Sequence, residues 1–140
     1  MKKKNTLLLF LCLFSLWAVA QENKPVKIAC VGNSITYGSG IKNQFQNSYP
    51  GLLSQLLGEG YDVRNFGISA RVLLNKGDHP YMHEQKFRDL LAFQPDIVTI
   101  KLGTNDSKPW NWRYGKDFKK DLTEMLDILQ ELPSKPKIYL

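Results

Sequence analysis

The chain has 140 residues, of which 43% are hydrophobic and 23% charged; this length suits one domain, and this composition excludes an intrinsically disordered protein. Its formal net charge of +6 at pH 7 includes Lys2–Lys4, and the first twenty residues contain no acidic residue. The excess of +3 on the rest of the chain is too small to indicate binding to nucleic acid or to a membrane surface.

The first twenty residues have the layout of a secretory signal peptide. The basic start is followed by an apolar run from Leu7 to Trp17 and by Ala18-Val19-Ala20, a small-x-small cleavage site. A transmembrane anchor is the alternative, but the run is short for a hydrocarbon core of about 30 Å. We therefore predict a signal peptide over 1–20, a mature domain over 21–140, a secreted or periplasmic location, and no membrane attachment after cleavage.

The mature chain alternates predicted strands and helices. Apolar runs bounded by glycine or proline predict strands, and apolar residues at steps of three and four predict helices. The predicted strands are Val26–Val31, Tyr61–Phe66, Asp96–Leu102 and Lys137–Leu140, and the predicted helices centre on Tyr49–Leu57, Phe87–Leu91 and Phe118–Leu129. This alternation is typical of a parallel sheet covered on both faces. We predict a three-layer α/β/α domain with a flavodoxin-like strand order of 2-1-3-4.

Cys30 is the single cysteine after residue 20, so the mature chain cannot form an internal disulfide. Its neighbours are apolar, which predicts a buried thiol on a strand rather than a nucleophile. Histidine and cysteine residues do not occur at metal-ligand spacing, so the sequence predicts no metal site and no cofactor.

Polar loops follow three of the predicted strands: Gly32-Asn33-Ser34, Gly67-Ile68-Ser69-Ala70 and Gly103-Thr104-Asn105-Asp106. Because the carboxyl ends of parallel strands meet at one edge of the sheet, we expect these loops to converge. Acyl transfer needs a nucleophile and hydrogen-bond donors that face the developing oxyanion. The Ser34 hydroxyl suits the nucleophile, and the donors would be its own N–H, the N–H near Ala70 and the Asn105 amide.

Three other interpretations of Ser34 compete with this one. Gly-Asn-Ser is common in turns, and Gly32, Gly38 and Gly40 after a strand suit a phosphate loop. However, neither G-K-[ST] nor G-x-G-x-x-G occurs here, and neither interpretation explains Gly103–Asp106. The α/β-hydrolase elbow G-x-S-x-G is also absent, because position 36 is threonine.

These loops resemble the sequence blocks of the SGNH hydrolases, the superfamily of GDSL-like esterases and lipases. Val31–Thr36, which reads VGNSIT, resembles the first block, Asn65–Ala70 resembles the second, and Gly103–Asp106 resembles the third block, G-x-N-D. The likeness covers the chain from Lys27 to Leu140. Within the superfamily, the stretch from Pro95 to Lys108 is most similar to acetylesterase-like members, including sialate O-acetylesterases.

The resemblance implies a secreted serine esterase without a cofactor. Ser34 would be its nucleophile, and the Ser34 N–H, the Ala70 N–H and the Asn105 amide would form its oxyanion hole. The implied partner is a small-molecule or glycan ester, and the oligomeric state is left open.

The sequence departs from the family pattern in both the first and the second block. Asn33 replaces the usual aspartate of the first block and keeps the capacity to hydrogen-bond in a turn. Ala70 occupies the glycine position of the second block, and its N–H is retained as a donor if the local φ is negative enough for a Cβ. Gly67 is the alternative donor if the register is shifted.

A further departure concerns the general base. The family has a histidine near the C-terminus, preceded three residues earlier by an aspartate, and the sequence up to Leu140 does not contain that block. His79 and His83 are expected to lie in an exposed loop without a catalytic role, although Asp78 beside His79 would suit a base. We therefore expect a C-terminally truncated domain that lacks a last strand and helix and has little or no turnover alone.

Aromatic residues after the third block indicate the substrate class. Trp110 and Trp112 suit sugar rings, and Arg113 suits a carboxylate such as that of a sialic acid. Equally, the rings can cover the helix below them, and Arg113 can be a solvated surface charge. Together with the resemblance, this favours deacetylation of a carbohydrate. The alternative function is a non-catalytic carbohydrate-binding module on the same fold.

Overall fold

The computed structural model describes residues 24–140, which form a parallel β-sheet with helices on both faces. The strands are β1 (Val26–Gly32), β2 (Tyr61–Gly67), β3 (Ile97–Lys101) and β4 (Lys137–Tyr139). Their order in the sheet is β2-β1-β3-β4, and all three neighbouring pairs are parallel. The predicted α/β/α fold and its 2-1-3-4 order are therefore confirmed.

Six α-helices connect or follow these strands within the described residues. They are α1 (Ser34–Tyr37), α2 (Gln44–Asn47), α3 (Tyr49–Leu57), α4 (Gln85–Phe93), α5 (Pro109–Trp112) and α6 (Phe118–Gln130). The long helices α3, α4 and α6 lie where the apolar periodicity predicts them. The other three have four residues each and were not predicted, because one helical turn is too short to show a repeat of apolar residues.

One face of the sheet carries the main hydrophobic core. Side chains that alternate along β1 and β3 point to this face, where they meet apolar residues of α4 and α6. The fully or almost fully buried members of this cluster include Ala29, Val31, Val98, Leu90, Met125 and Leu129. This layer fixes the positions of β1 and β3, whose carboxyl ends carry two of the predicted loops.

The opposite face of β1 and β3 packs against the start of α3. Tyr49 Oη lies 3.1 Å from Thr99 Oγ1, and Cys30 is fully buried beside them. Burial raises the pKa of the Cys30 thiol and raises the pKa of Tyr49 to about 12. The prediction of a buried strand thiol is confirmed, and the raised pKa keeps that thiol protonated and unreactive.

The predicted signal peptide, residues 1–20, lies outside the described residues and stays a prediction. Across residues 24–140, every helix is too short or too polar to cross a lipid bilayer.

Candidate active site

The three predicted loops leave the sheet side by side. β1 lies between β2 and β3, and its last residue, Gly32, pairs with Gly67 on one side and with Lys101 on the other. Neighbouring strands lie about 4.8 Å apart, so the loops begin close to one another and at the same level of the sheet. We call them the β1, β2 and β3 loops, which begin at residues 33, 68 and 102.

Ser34 is the first residue of the short helix α1 and is half-buried. The preceding residue, Asn33, is fully buried and caps the helix, since its Oδ1 accepts a hydrogen bond from the Ile35 N–H at 3.1 Å. Gly38 ends the helix with a left-handed φ of 87°, and its N–H donates to the Ser34 carbonyl at 2.9 Å. Within residues 24–140 the Ser34 N–H donates no hydrogen bond, so it is available to a ligand.

Two glycines allow α1 to lie directly against the ends of β1 and β2. A Cβ on Gly32 would overlap the Thr36 hydroxyl, and a Cβ on Gly67 would overlap the Tyr37 backbone nitrogen. Asn65 reinforces this contact by donating from Nδ2 to the Thr36 carbonyl at 2.9 Å. A larger side chain at either glycine would therefore displace the helix that carries Ser34.

The β3 loop is fastened to the β2 loop through its two buried polar side chains. Asn105 donates from Nδ2 to the Arg71 carbonyl at 3.0 Å. The Asp106 carboxylate accepts from the N–H groups of Leu73 and Leu74 at 2.9 and 2.8 Å. An asparagine amide has two N–H donors, so one Asn105 donor remains available to a ligand.

The β1 and β2 loops are also joined, which completes the convergence. Ser39 Oγ lies 2.6 Å from Ser69 Oγ, and the Ile68 N–H donates to the Gly32 carbonyl at 3.0 Å. The three polar loops therefore meet, as the sequence predicts, and together they present one hydroxyl, one amide and free backbone N–H groups. This is a set of groups that can attack a carbonyl carbon and stabilise the resulting oxyanion.

Ala70 holds the backbone conformation of a glycine. Its φ is +67°, so the condition of a negative φ is not met, and the left-handed region costs an alanine about 1–2 kcal/mol. The alternative donor, the Gly67 N–H, is already engaged, because it donates to Asn65 Oδ1 at 2.8 Å. Among the described residues, the Ala70 N–H donates to no backbone carbonyl, and the assignment of Ala70 as the second-block donor stays a prediction.

Asn111 is a part of this site that the sequence reasoning missed. It lies on α5 and is 2% exposed, with Nδ2 donating to the Asn105 carbonyl at 2.9 Å and Oδ1 accepting from the Asp78 N–H at 2.8 Å. It therefore joins the backbone of Asn105 to the loop before α4. Asn111 lies between two exposed tryptophans, so the sequence gave no sign that it is buried. Its partner Asp78 is far away in the chain, and local patterns do not report on such contacts.

The predicted substrate contacts lie on and just after α5. Trp110 and Trp112 are each 53% exposed. Trp112 packs on the Phe118 ring at 5.9 Å between centroids, so it partly covers the start of α6, as the alternative interpretation expects. Arg113 is exposed and stacks over the Tyr114 ring at 4.8 Å. The two tryptophans and Arg113 thus remain accessible to a substrate, and their role in binding stays a prediction.

His79 and His83 are both exposed, and within residues 24–140 neither imidazole ring forms a hydrogen bond. Neither is oriented as a general base by a carboxylate in this structure. Over the same residues, histidine, cysteine and acidic side chains form no group of three that could hold a metal ion.

Comparison with known proteins identifies the family. The model of the GDSL-like lipase/acylhydrolase family matches residues 30–140. An acetylxylan esterase from Xylanibacter ruminicola is 54% identical over 111 residues, which cover 79% of this chain and 23% of that protein. The chain therefore spans less than a quarter of the length of this relative.

Solved structures share the fold. An aryl esterase from M. smegmatis is 25% identical with a TM-score of 0.63, and Est24, a carbohydrate acetylesterase from Sinorhizobium meliloti, is 22% identical with a TM-score of 0.62. Each comparison covers 81% of this chain and 61% of the solved one. The family match over most of the chain and the close relative show that this chain belongs to the GDSL-like lipase/acylhydrolase family of carboxylic ester hydrolases, as its loops predicted.

Proposed function

We propose that this protein is an esterase that removes O-acetyl groups from a carbohydrate, with Ser34 as its nucleophile. The observation that carries the proposal is the bond from Asn105 to the Arg71 carbonyl. It holds the amide of the β3 loop against the β2 loop, next to the turn that carries Ser34. The groups that acyl transfer needs are thereby assembled from three separate parts of the chain.

In this mechanism the Ser34 hydroxyl attacks the acetyl carbonyl carbon and gives its proton to a general base. The negative charge on the tetrahedral oxygen is stabilised by the Ser34 N–H, the Ala70 N–H and the free N–H of Asn105. Collapse breaks the bond to the sugar oxygen, which takes up the proton from the base and leaves as a hydroxyl, so that acetyl-serine remains. Water then attacks the acetyl group, releases acetate and restores Ser34. Removing one such donor typically costs about 2.7–4 kcal/mol of transition-state stabilisation.

The carbohydrate class is supported by the relatives and by the aromatic residues of α5. The relative that is 54% identical is an acetylxylan esterase, which makes acetylated xylan the first substrate to test. Trp110 and Trp112 follow the β3 loop and are each 53% exposed, so a sugar can contact their rings. Arg113 would contact a carboxylate if the sugar carries one.

We further propose that the protein is secreted or periplasmic, on the strength of the basic start, the apolar run and the Ala18-Val19-Ala20 site. Expression with its own N-terminus in a bacterial host, followed by mass measurement of the exported protein, tests this. We expect a mature N-terminus at Gln21; a chain that keeps its first twenty residues would contradict it.

The general base of the reaction is not assigned to a residue of this chain. Both histidines are exposed, and neither ring forms a hydrogen bond with the described residues, so we propose that this chain turns over slowly unless a base is supplied. Imidazole added to the solution can supply one. Release of acetate from acetylated xylo-oligosaccharides should therefore be slow without imidazole and should rise with its concentration.

Ser34→Ala tests the nucleophile. We expect it to abolish the imidazole-dependent release of acetate, while Thr123→Ala, which removes an exposed hydroxyl from α6, leaves the rate unchanged. Acetate release that survives Ser34→Ala would overturn the assignment of the nucleophile. Rapid release without imidazole that is lost on substitution of His79 or His83 would overturn the account of the base.

The exposed histidines also favour a second candidate, a non-catalytic carbohydrate-binding module. Binding of acetylated and deacetylated xylo-oligosaccharides with equal affinity, together with no acetate release at any imidazole concentration, would favour the module over the esterase.

A further inference from the structure

A large cleft lies beside the edge strand β2, apart from the residues assigned above. It encloses about 870 Å³ and is lined by residues of α2, α3 and β2, with Tyr37 at the end of α1 and Lys86 on α4. Ser34, Ala70 and Asn105 do not line it. Its size falls within the range of ligand sites, and the esterase mechanism leaves it without a role.

Phe45 is the most unusual residue of this cleft. It lies on α2, lines the cleft and is 92% exposed, so its ring contributes almost no buried area to the fold. Tyr37, 39% exposed, presents a second ring to the same cleft. Two accessible aromatic faces in a concave surface are a feature of ligand sites rather than of ordinary surface.

The cleft is also lined by three side-chain amides, each of which donates to a backbone carbonyl through its nitrogen. Gln44 donates from Nε2 to the Tyr37 carbonyl, Asn47 from Nδ2 to the Lys42 carbonyl, and Gln55 from Nε2 to the Gln46 carbonyl. Within residues 24–140 the oxygen atoms of these three amides accept no hydrogen bond. Each amide is therefore fixed by its nitrogen while its oxygen remains free to accept a bond from a ligand.

Helix α2, which carries Phe45, packs closely against α3 and forms one wall of the cleft. A Cβ on Gly51 would overlap the carbonyl oxygens of Phe45 and Gln46, so α2 packs directly against α3 through this glycine. The bond from Gln55 to the Gln46 carbonyl, at 2.9 Å, adds a second attachment. A preorganised wall loses little conformational freedom when a ligand binds.

The cleft is continuous with the helix that carries Ser34. Tyr37 is three residues beyond Ser34, about 4.5 Å along the helix axis at 1.5 Å per residue. Its carbonyl accepts from Gln44 and, at 3.3 Å, from Asn65, and both of these residues line the cleft. A chain-like ligand held in the cleft can therefore reach the Ser34 turn.

We propose that this cleft binds the sugar chain next to the unit that carries the ester, with a sugar ring stacked on Phe45. Sugar hydroxyls would donate to the free amide oxygens, and the apolar faces of the rings would cover Phe45 and Tyr37. Of the charged residues that line the cleft, Asp62 and Arg64 pair with each other at 2.8 Å, and the Lys86 ammonium donates to the Gly67 carbonyl at 3.3 Å, which suits an uncharged chain. This inference rests on the proposed carbohydrate esterase and adds the site that selects polymeric over small esters.

The test is calorimetric titration of the full chain with unacetylated xylohexaose, in which variants of Phe45 separate binding in the cleft from sugar contacts at α5, because Trp110 and Trp112 do not line the cleft. Phe45→Ala should weaken binding roughly tenfold, since it removes most of an aromatic contact area, and Phe45→Trp should restore it. Leu56→Ala is the matched control, because Leu56 is 84% exposed on α3 and does not line the cleft. We expect wild-type affinity from this control.

Xylohexaose that does not bind, or that binds Phe45→Ala as well as the wild type, would overturn the cleft proposal. The failure of the esterase proposal is separable, because it is measured by acetate release from a small acetylated xylose in the presence of imidazole. Leu56→Ala should leave that rate unchanged. Loss of xylohexaose binding in Phe45→Ala without any Ser34-dependent acetate release would retain the cleft and reject the esterase.

Discussion

Two regions of the molecule use their polar groups differently: in the contact between the β2 and β3 loops they bond to each other, whereas in the cleft beside β2 several remain accessible. We call the first the closed contact. In the closed contact, Asp106 is fully buried and accepts from two backbone N–H groups, and Asn105 donates to a backbone carbonyl. In the cleft, Phe45 is 92% exposed, and three amide oxygens accept no hydrogen bond from the described part of the chain. Polar groups thus fix the geometry in one region and are left for a ligand in the other. Substitutions should therefore change stability or turnover in the first region and binding in the second.

Asp106→Ala should have the largest effect on stability and tests whether the closed contact depends on one carboxylate. It leaves the N–H groups of Leu73 and Leu74 buried without an acceptor, at about 1–3 kcal/mol each. We expect the free energy of unfolding, measured by urea denaturation, to fall by about 3–5 kcal/mol. Asp127→Ala, an exposed position on α6, should change it by less than about 0.5 kcal/mol. A loss under about 1 kcal/mol for Asp106→Ala would show that the contact is held by other groups.

Asn105→Ala separates turnover from binding. Because Asn105 is proposed as an oxyanion donor, we expect its removal to lower imidazole-dependent acetate release about 10²–10³-fold. Affinity for xylohexaose should stay at the wild-type value, because Asn105 does not line the cleft. An unchanged rate of acetate release would remove Asn105 from the oxyanion hole, and an equal loss of xylohexaose affinity would show that the two regions are not independent.

Ala70→Gly has the smallest expected effect and tests whether the backbone of the β2 loop is strained at this residue. Glycine adopts the φ of +67° without strain, so we expect the free energy of unfolding to rise by about 1 kcal/mol. Ala92→Gly, at an exposed position within α4, is the matched control and should lower it by about 0.5–1 kcal/mol. Thermal unfolding of the two variants should shift in opposite directions, and a shift of the same sign would contradict a strained Ala70.

The elements and the site loops could be predicted because their signals are local. Apolar runs such as Val26–Val31 and the three- and four-residue steps of α6 report on neighbours within one turn or one strand. The polar loops could be assigned to one edge of the sheet because parallel strands carry their loops there. The strand order and the convergence of the β1, β2 and β3 loops follow from those two rules.

The sequence by itself determined the alternation of strands and helices, the strand order, and which polar residues follow which strand. Only the tertiary structure decided how those residues are held: Asn111 between Asn105 and Asp78, the left-handed backbone of Ala70, and the open amides around Phe45. These features depend on contacts between residues far apart in the chain. Local periodicity carries no information on such contacts, because the same local sequence pattern can surround a buried amide or an exposed one.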